Sequence, residues 1–455
     1  MAAAPNVLLV VVDDHGLHQL GCYGSECYHT PRIDALAGEG MRFTRSYSTA
    51  PVCSPARASL YTGRHPARLR LTNYIPGTEP ANSRLLTPRW RPYLRLEEET
   101  LGAVFKTAGY ATGHFGKWHL AVDYMYQPGR PTDPESHGFE EVFVTRKPPA
   151  EADPGADPHH TMGIAHRAAD FMTACRDRPF FCVVAYNALH RPELAPSQAI
   201  ARWAARPGAE EDFNRPTVVA MMEEVDRSAG VLLDNLRGSK RERDTIVVFT
   251  SDHGAFDRSM DRKPLRGAKA DLYEAGIRVP LIVRWPGRVP AGSVSNLLVQ
   301  NSDLFPTLCS LAGVKPASLV ERDGFDLRDV LLNGSRELAS RDLYWHFPHY
   351  HHLGPGPCGA IRSGRYKLIE WFEGSLGVDA NKPPFELFDL ESDPGEYNNR
   401  AEIEPAACAR LAGNLQTWRR QIGAQEMPVN PGFDPSLGPT PPPPPTGDPV
   451  NPYGE

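Results

Sequence analysis

The sequence predicts an α/β fold, a large mainly parallel sheet sandwiched by helices, followed by a smaller C-terminal α+β subdomain with an antiparallel sheet. Three observations carry this. Continuous apolar runs such as "NVLLVVVDD" and "TIVVFTSDHG" lack the polar alternation of a strand with one wet face, so they must be covered on both sides. Amphipathic helical patterns separate these runs, as crossover connections between parallel strands require. After about residue 340 the texture changes to short alternating strands around tight turns.

In chain order, the spacing predicts a strand over 6–14, a helix over 30–40, a helix opening near residue 53 and a strand around 111–120. A helix over 163–175, a strand over 180–187, a long helix over 216–236 and strands over 245–254 and 280–287 follow. In the last part, "GAIRSGRYKLIEWF" reads as two strands around a Ser363-Gly364 turn, "FELFDL" as a third, and about Glu404 to Ile422 as a closing helix. The expected organisation is a catalytic unit over 1–340, a small subdomain over 341–427, and an extended, poorly ordered proline-rich tail over 428–455.

At 455 residues the chain can bury a large core, and it is no short binding module. With 41% hydrophobic residues, 23% charged residues and a net charge of -6, it offers no basic surface for nucleic acid. The longest clean apolar run, Val7 to Val12, ends in two aspartates and is far too short to span a bilayer, so no membrane partner is expected. The N-terminus "MAAAPN" has no basic leader, giving an expected cytoplasmic location, or export if a leader has been removed. Eight cysteines without regular spacing argue against a disulfide scaffold.

The chemistry gathers at strand ends. In "PVCSPARASLYTGRHP", Ser54 is the expected N-cap, Pro55 suits the first helical position and Gly63 can close the helix. Cys53 then sits at a helix mouth, where unpaired N–H groups and the macrodipole favour an anion and Arg57 adds a fixed charge. Two apolar strands end alike, in Asp13-Asp14 and in Asp252-His253. Ligand crevices of such sheets open beyond the strand carboxyl ends. Three carboxylates gathered there need a cation, and oxygen ligands favour a hard ion such as Ca2+ or Mg2+, although His253 leaves other divalent ions open. Lys117 and His119 in "GKWHL" stand two apart, on one face of an extended segment. His190 follows a strand end, a position suited to a general acid, and Lys269 lies between the second acidic pair and the next strand. Positive groups and a metal around Cys53 match a tetrahedral oxyanion, pointing to a sulfate or phosphate ester.

These residues resemble the type I, formylglycine-dependent sulfatases of the alkaline phosphatase superfamily. "CSPARASLYTGR" matches the signature C-x-P-x-R-x-x-x-x-T-G-R throughout, and "NVLLVVVDD", "GKWHL", "TSDHG", "GAKADLYEAGIRVPLIVRWPG" and "LFDLESDPGE" look like family segments in family order, from Asn6 to Arg400. The resemblance implies that a formylglycine-generating enzyme oxidises Cys53 to formylglycine, whose hydrate attacks sulfur. It implies that Asp13, Asp14, Asp252, His253 and the modified residue 53 hold calcium. Arg57 would steady the hydrate, Lys117 and Lys269 would grip the sulfate, His190 would protonate the leaving alcohol, and His119 would help restore the aldehyde. Two positions depart from the family pattern: His253 stands where many members have asparagine, and Ala121 where glycine is usual.

For the substrate, His346, His349, His351 and His352 lie with aromatic neighbours near the start of the small subdomain, and such sets commonly meet sugar hydroxyls and ring faces. A sulfated carbohydrate is therefore expected over a simple aryl sulfate. The alternatives are a phosphonate monoester hydrolase or phosphodiesterase of the same superfamily, and a non-catalytic protein that binds sulfated glycans.

Overall fold

The computed structural model describes residues 4–122, 126–206, 215–256, 265–317, 320–334, 341–440 and 442–443. Its strands, in chain order, are β1 Asn6–Val12, β2 Met41–Phe43, β3 Ser46–Tyr47, β4 Ala111–Gly116, β5 Glu141–Val144, β6 Phe180–Ala185, β7 Thr245–Ser251, β8 Leu281–Arg284, β9 Ser293–Ser295, β10 Val299–Gln300, β11 Leu343–Phe347, β12 Cys358–Ser363, β13 Tyr366–Trp371 and β14 Phe385–Asp389. Eight of them form one sheet in the order β5-β4-β6-β1-β7-β8-β2-β9. The run β5-β4-β6-β1-β7 is parallel throughout, whereas β8 is antiparallel to both β7 and β2.

The unbroken apolar sequence of β1 has the cause expected of it. Leu8, Val10 and Val12 enter one core, with Ile164 and Met172 of the helix Thr161–Ala174 and Met222 and Val225 of the helix Pro216–Gly238. Val7, Leu9 and Val11 enter the opposite core, with Ala58 and Leu60 of the helix Cys53–Thr62, Phe105 and Leu308. Successive side chains of a strand point to opposite faces, so a strand covered on both must be apolar at every position.

The second sheet is antiparallel, in the order β11-β12-β13-β14. Trp345, Ala360, Ile369 and Phe388 pack towards Tyr47, Val52, Tyr74 and Ile277 of the large unit. Its other face, with Ile361, Leu368 and Leu387, is covered by Leu411 and Leu415 of the helix Pro405–Ile422. An ionic cluster also ties it down: Lys367, fully buried, lies 3.2 Å from Glu274 and 2.8 Å from Glu396.

Several sequence expectations shift. The expected strand over 111–120 stops at Gly116, whose φ of 109° brings its backbone against the Ala185 carbonyl, where no Cβ would fit. Lys117 and His119 are therefore placed by a loop rather than by strand alternation. The tail beginning at residue 428 is extended but held over its first part: the Leu86 N–H donates to the Pro428 carbonyl, the Asn430 N–H to the Arg84 carbonyl, and the Asn82 amide to the Asp434 and Gly438 carbonyls. Residues 82–86 and the tail thus satisfy each other's backbone groups, as extended polar chain readily does. Most of residues 441–455 lie outside the described residues. All eight cysteines are free thiols, and among the described residues no helix is long and apolar enough to cross a membrane.

Candidate active site

β1 and β7 are parallel neighbours with Val12 opposite Ser251. The two acidic pairs therefore leave the sheet side by side. The Asp13 N–H donates to the Ala188 carbonyl (3.1 Å) and the Asp252 N–H to the Val12 carbonyl (3.3 Å), while Asp14 takes a φ of 56°. Such a left-handed turn at a non-glycine residue carries strain, a recurrent feature of functional sites.

Cys53 faces this corner. The structure moves the expected helix start by two residues: Val52 is the N-cap and Cys53, not Pro55, is the first helical residue. Ser54 does not cap, because its hydroxyl accepts the Ile75 N–H at 3.1 Å and fixes the next loop. Gly63 closes the helix in the left-handed conformation, as expected. The Cys53 Sγ lies 3.2 Å from His253 Nε2, 3.5 Å from Asp13 Oδ1 and 3.5 Å from Lys269 Nζ.

Arg57, one turn into the helix, is buried. Its Nε donates to Asp252 Oδ2 at 2.9 Å and its Nη1 to the Lys117 carbonyl at 2.8 Å, with Nη2 3.7 Å from Asp13. Lys117 Nζ reaches Asp13 Oδ2 at 2.5 Å, and Lys269 Nζ reaches Asp14 Oδ1 at 2.7 Å. Burial would raise Asp13, but Lys117, His190, Arg57 and Lys269 hold it well below the usual carboxylate range. Asp14 is likewise held low, against burial, chiefly by Lys269. Asp252 goes the other way: burial and the Asp13 charge push it up to about 7 in spite of His253 and Arg57. For the thiol, burial and Asp13 oppose ionisation, but Lys117, Lys269 and His253 prevail and lower its pKa.

Asp13, Asp14, Cys53 and His253 each offer a ligand atom within 4.8 Å of the others, and all four are buried. Asp252 stands beside this set. Its Oδ2 is on Arg57, and its Oδ1 accepts the His253 N–H at 2.9 Å and lies 3.7 Å from His253 Nε2. Asp14 Oδ2 is buried without a hydrogen-bond partner, a costly state for a carboxylate oxygen that a cation would relieve. The oxygen-rich donors thus fit a divalent ion.

The two histidines flank the corner. His119, at a φ of 59°, donates from Nε2 to the Ile75 carbonyl at 2.8 Å. Burial, then the Lys117 charge, holds it well below the usual imidazole range. His190 donates from Nδ1 to the Arg191 carbonyl at 2.7 Å, and burial followed by Lys269 lowers its pKa to about 3.

The histidine cluster divides. His346 is buried against Phe372 with Nε2 on the Gln425 carbonyl, and His349 is buried between Trp90 and the Thr72 hydroxyl. Both are buried: His346 alternates with Trp345 and Phe347 on β11 and so faces away from the large unit, whereas His349 lies two residues past the strand. His351 and His352 stack on each other beside Tyr74, within the field of Lys269. Sequence reasoning missed Tyr74 and Phe256. The Phe256 ring gathers His190, Arg191 at 4.4 Å and Lys269 at 5.5 Å. Its signal was an aromatic residue two positions past "DHG".

Comparison with known proteins agrees with this geometry. A family model described as "Sulfatase" matches residues 5–314, and one described as "N-sulphoglucosamine sulphohydrolase, C-terminal" matches residues 268–420. Arylsulfatase A of Homo sapiens is 32% identical over 478 residues, covering 93% of this chain and 89% of that protein. N-acetylgalactosamine-6-sulfatase of Canis lupus familiaris is 32% identical over 405 residues, covering 81% and 72%. The solved structure of Ps i-CgsB in complex with k-i-k-neocarrahexaose superposes with a TM-score of 0.74 at 25% identity, covering 91% of this chain and 92% of that one. A thiol at a helix mouth among carboxylates and lysines, within a chain that matches these proteins almost end to end, has one consistent assignment: the chain belongs to the sulfatase family.

Proposed function

We propose that this sulfatase hydrolyses the sulfate monoester of a sulfated carbohydrate, that Cys53 is converted to formylglycine by a separate generating enzyme, and that Asp13, Asp14, Asp252, His253 and residue 53 hold calcium. The observation that carries the reading is the position of Cys53 Sγ, within 3.5 Å of Asp13, His253 and Lys269 at once. When present, the formylglycine hydrate supplies the nucleophile, and the cation lowers the pKa of its hydroxyl and offsets sulfate charge.

The chain's own residues do the remainder. Arg57, locked by Asp252 and the Lys117 carbonyl, presents a fixed guanidinium beside residue 53. Lys117 and Lys269 act as point charges on the sulfate oxygens, strengthening as the bridging bond breaks. His190, with Nδ1–H committed to the Arg191 carbonyl, turns Nε2 to the leaving oxygen and donates the proton there. His119, with Nε2–H committed to Ile75, has Nδ1 as its basic nitrogen, suited to take a proton from the second hydroxyl of residue 53. The carbohydrate part of the reading is supported by a relative named N-acetylgalactosamine-6-sulfatase and by the neighbour solved in complex with k-i-k-neocarrahexaose.

The test is the mass of the proteolytic peptide containing residue 53, from protein made with and without a formylglycine-generating enzyme, followed by turnover of p-nitrophenyl sulfate, sulfated sugars and phenyl phosphonate esters. Aldehyde mass with preference for sulfated sugars is expected. An unmodified cysteine in the presence of that enzyme, or dominant phosphonate turnover, overturns the proposal.

A further inference from the structure

A cleft of about 990 Å³ lies beside the catalytic corner, and the reaction described above does not use it. Its walls carry Arg70, Arg89 and Arg91 with Trp90 and Tyr93, against a single acidic residue, Glu79. Arg70 and Arg89 are exposed and Arg91 is half-buried. None of the three has a carboxylate partner among the described residues, whereas the neighbouring Arg95 is paired with Glu98 at 2.6 Å. Burial, and then the charges of Arg95 and Arg70, lower the Arg91 pKa, so Arg70 and Arg91 repel each other, with Glu98 offsetting part of that repulsion. On a chain with net charge -6, such a concentration needs an explanation, because like charges brought together cost free energy unless an anion joins them.

The cleft is tied to the catalytic corner by two chain segments. Ile75 takes the His119 hydrogen bond, and the adjacent Tyr74 hydroxyl bonds Thr78, next to Glu79 in the cleft wall. Three residues past His119, Val122 lines the same cleft, which places that wall within about 11 Å of His119 along the chain. Gly77, with φ of 75°, lies so close to Trp90 that an added Cβ would sit 2.7 Å from the ring. This contact holds the 74–77 loop against the cleft's aromatic wall. The held start of the tail contributes Asn430 to the far side.

We infer that this cleft is a second anion subsite, in which Arg70, Arg89 and Arg91 hold a sulfate or carboxylate on a sugar adjoining the one being desulfated, with Tyr93 against a sugar ring. The inference rests on the carbohydrate reading above and makes the substrate a polyanionic oligosaccharide rather than an isolated sulfated monosaccharide. Guanidinium groups suit both anions, since their planar donors match two oxygens at once.

The test uses protein matured at residue 53, with p-nitrophenyl sulfate as reporter and chondroitin sulfate and carrageenan tetrasaccharides as competitors, and a desulfated, carboxyl-reduced tetrasaccharide as neutral control. At least one charged tetrasaccharide should inhibit, and its inhibition should weaken as salt is raised. The double variant Arg70→Gln/Arg89→Gln should weaken inhibition about tenfold while leaving p-nitrophenyl sulfate turnover unchanged. Arg70→Lys/Arg89→Lys should recover part of it. Inhibition equal in wild type and the glutamine variant overturns the subsite, as does absence of inhibition of the wild type by any charged tetrasaccharide. If matured protein fails to turn over p-nitrophenyl sulfate, the activity reading falls, and calorimetric binding of the same tetrasaccharides to wild type and variant decides the subsite separately.

Discussion

Replacing His190 by Gln tests the proton path most directly. Its Nδ1 hydrogen must sit on the Arg191 carbonyl, because a carbonyl only accepts, so the neutral ring presents a bare Nε2. With the pKa lowered to about 3, only about one molecule in 10⁴ carries the second proton at pH 7. The general acid is the protonated form, so its supply grows about tenfold for each unit the pH falls until the pKa is approached. A bound sulfate ester moves the pKa upward by placing negative charge near Lys117, Lys269 and His190, but kcat/KM still reports the free enzyme. For an alkyl or sugar sulfate, whose leaving oxygen needs the proton, kcat/KM should rise as pH drops from 8 to 6, and His190→Gln should lose about 10² to 10⁴ in rate. For p-nitrophenyl sulfate, which departs without help, the loss should be small and the pH dependence flat. The assay is the pair of pH profiles for both substrates with both proteins. Equal losses on the two substrates, or a His190→Gln profile that keeps the wild-type slope on the sugar sulfate, would remove His190 from the acid role.

Cys53→Ala should abolish turnover while the melting temperature stays near that of the parent, since a thiol contributes little volume; residual activity near wild type would contradict the role of residue 53. Calcium should raise the melting temperature, by about 2.7 kcal/mol of stability at a hundredfold excess over its Kd, and a melt indifferent to calcium and to chelator would exclude the metal site. Arg57→Lys keeps the charge but loses the forked contact to Asp252 and the Lys117 carbonyl, and kcat should drop about 10² to 10³-fold; a kinetic profile matching wild type would show that charge alone suffices. Lys367→Met removes the cation between Glu274 and Glu396, both buried, leaving Glu274 with Tyr47 and Arg278, which should cost about 3–5 kcal/mol. Amide exchange over Tyr366–Trp371 would then speed up, and unchanged protection there would refute the bracing role.

The parts legible in sequence are those whose cause is local. β1 announces its double burial by six apolar residues in a row, and the Cys53 helix announces its end by Gly63. The pairing of Asp13-Asp14 with Asp252-His253 could be inferred because both motifs end strands of one sheet. What escaped depends on contacts between distant segments. Ser54 looks like a cap until Ile75, 21 residues away, claims its hydroxyl. Lys117 and His119 look like strand neighbours until the close approach of Ala185 to Gly116 ends the strand. The burial of His346 and His349 could not be read from composition, which does not say how β11 and the segment after it pack. The tail's proline content speaks of extended chain but not of the backbone groups at 82–86 that hold its first residues.

Charge balance explains why the site pairs lysines with carboxylates. Asp13, Asp14 and Asp252 bring three negative groups, and Arg57, Lys117 and Lys269 bring three positive ones, all buried. A sulfate arriving at such a balanced set gains little, because Lys117 is spent on Asp13 and Lys269 on Asp14. A divalent cation held by the same carboxylates would satisfy them from one point, leaving Lys117 and Lys269 free to meet the anion. Metal and sulfate affinity should therefore be linked, each strengthening the other by the same factor, as equilibrium linkage demands. The same reasoning gives the cleft arginines their place: they add positive field outside the corner, opposed by Glu79 in the wall and by Glu98 near Arg91. On this reasoning the catalytic corner would need a cation to receive one sulfate, whereas the proposed subsite in the cleft would receive a second anion with side chains alone.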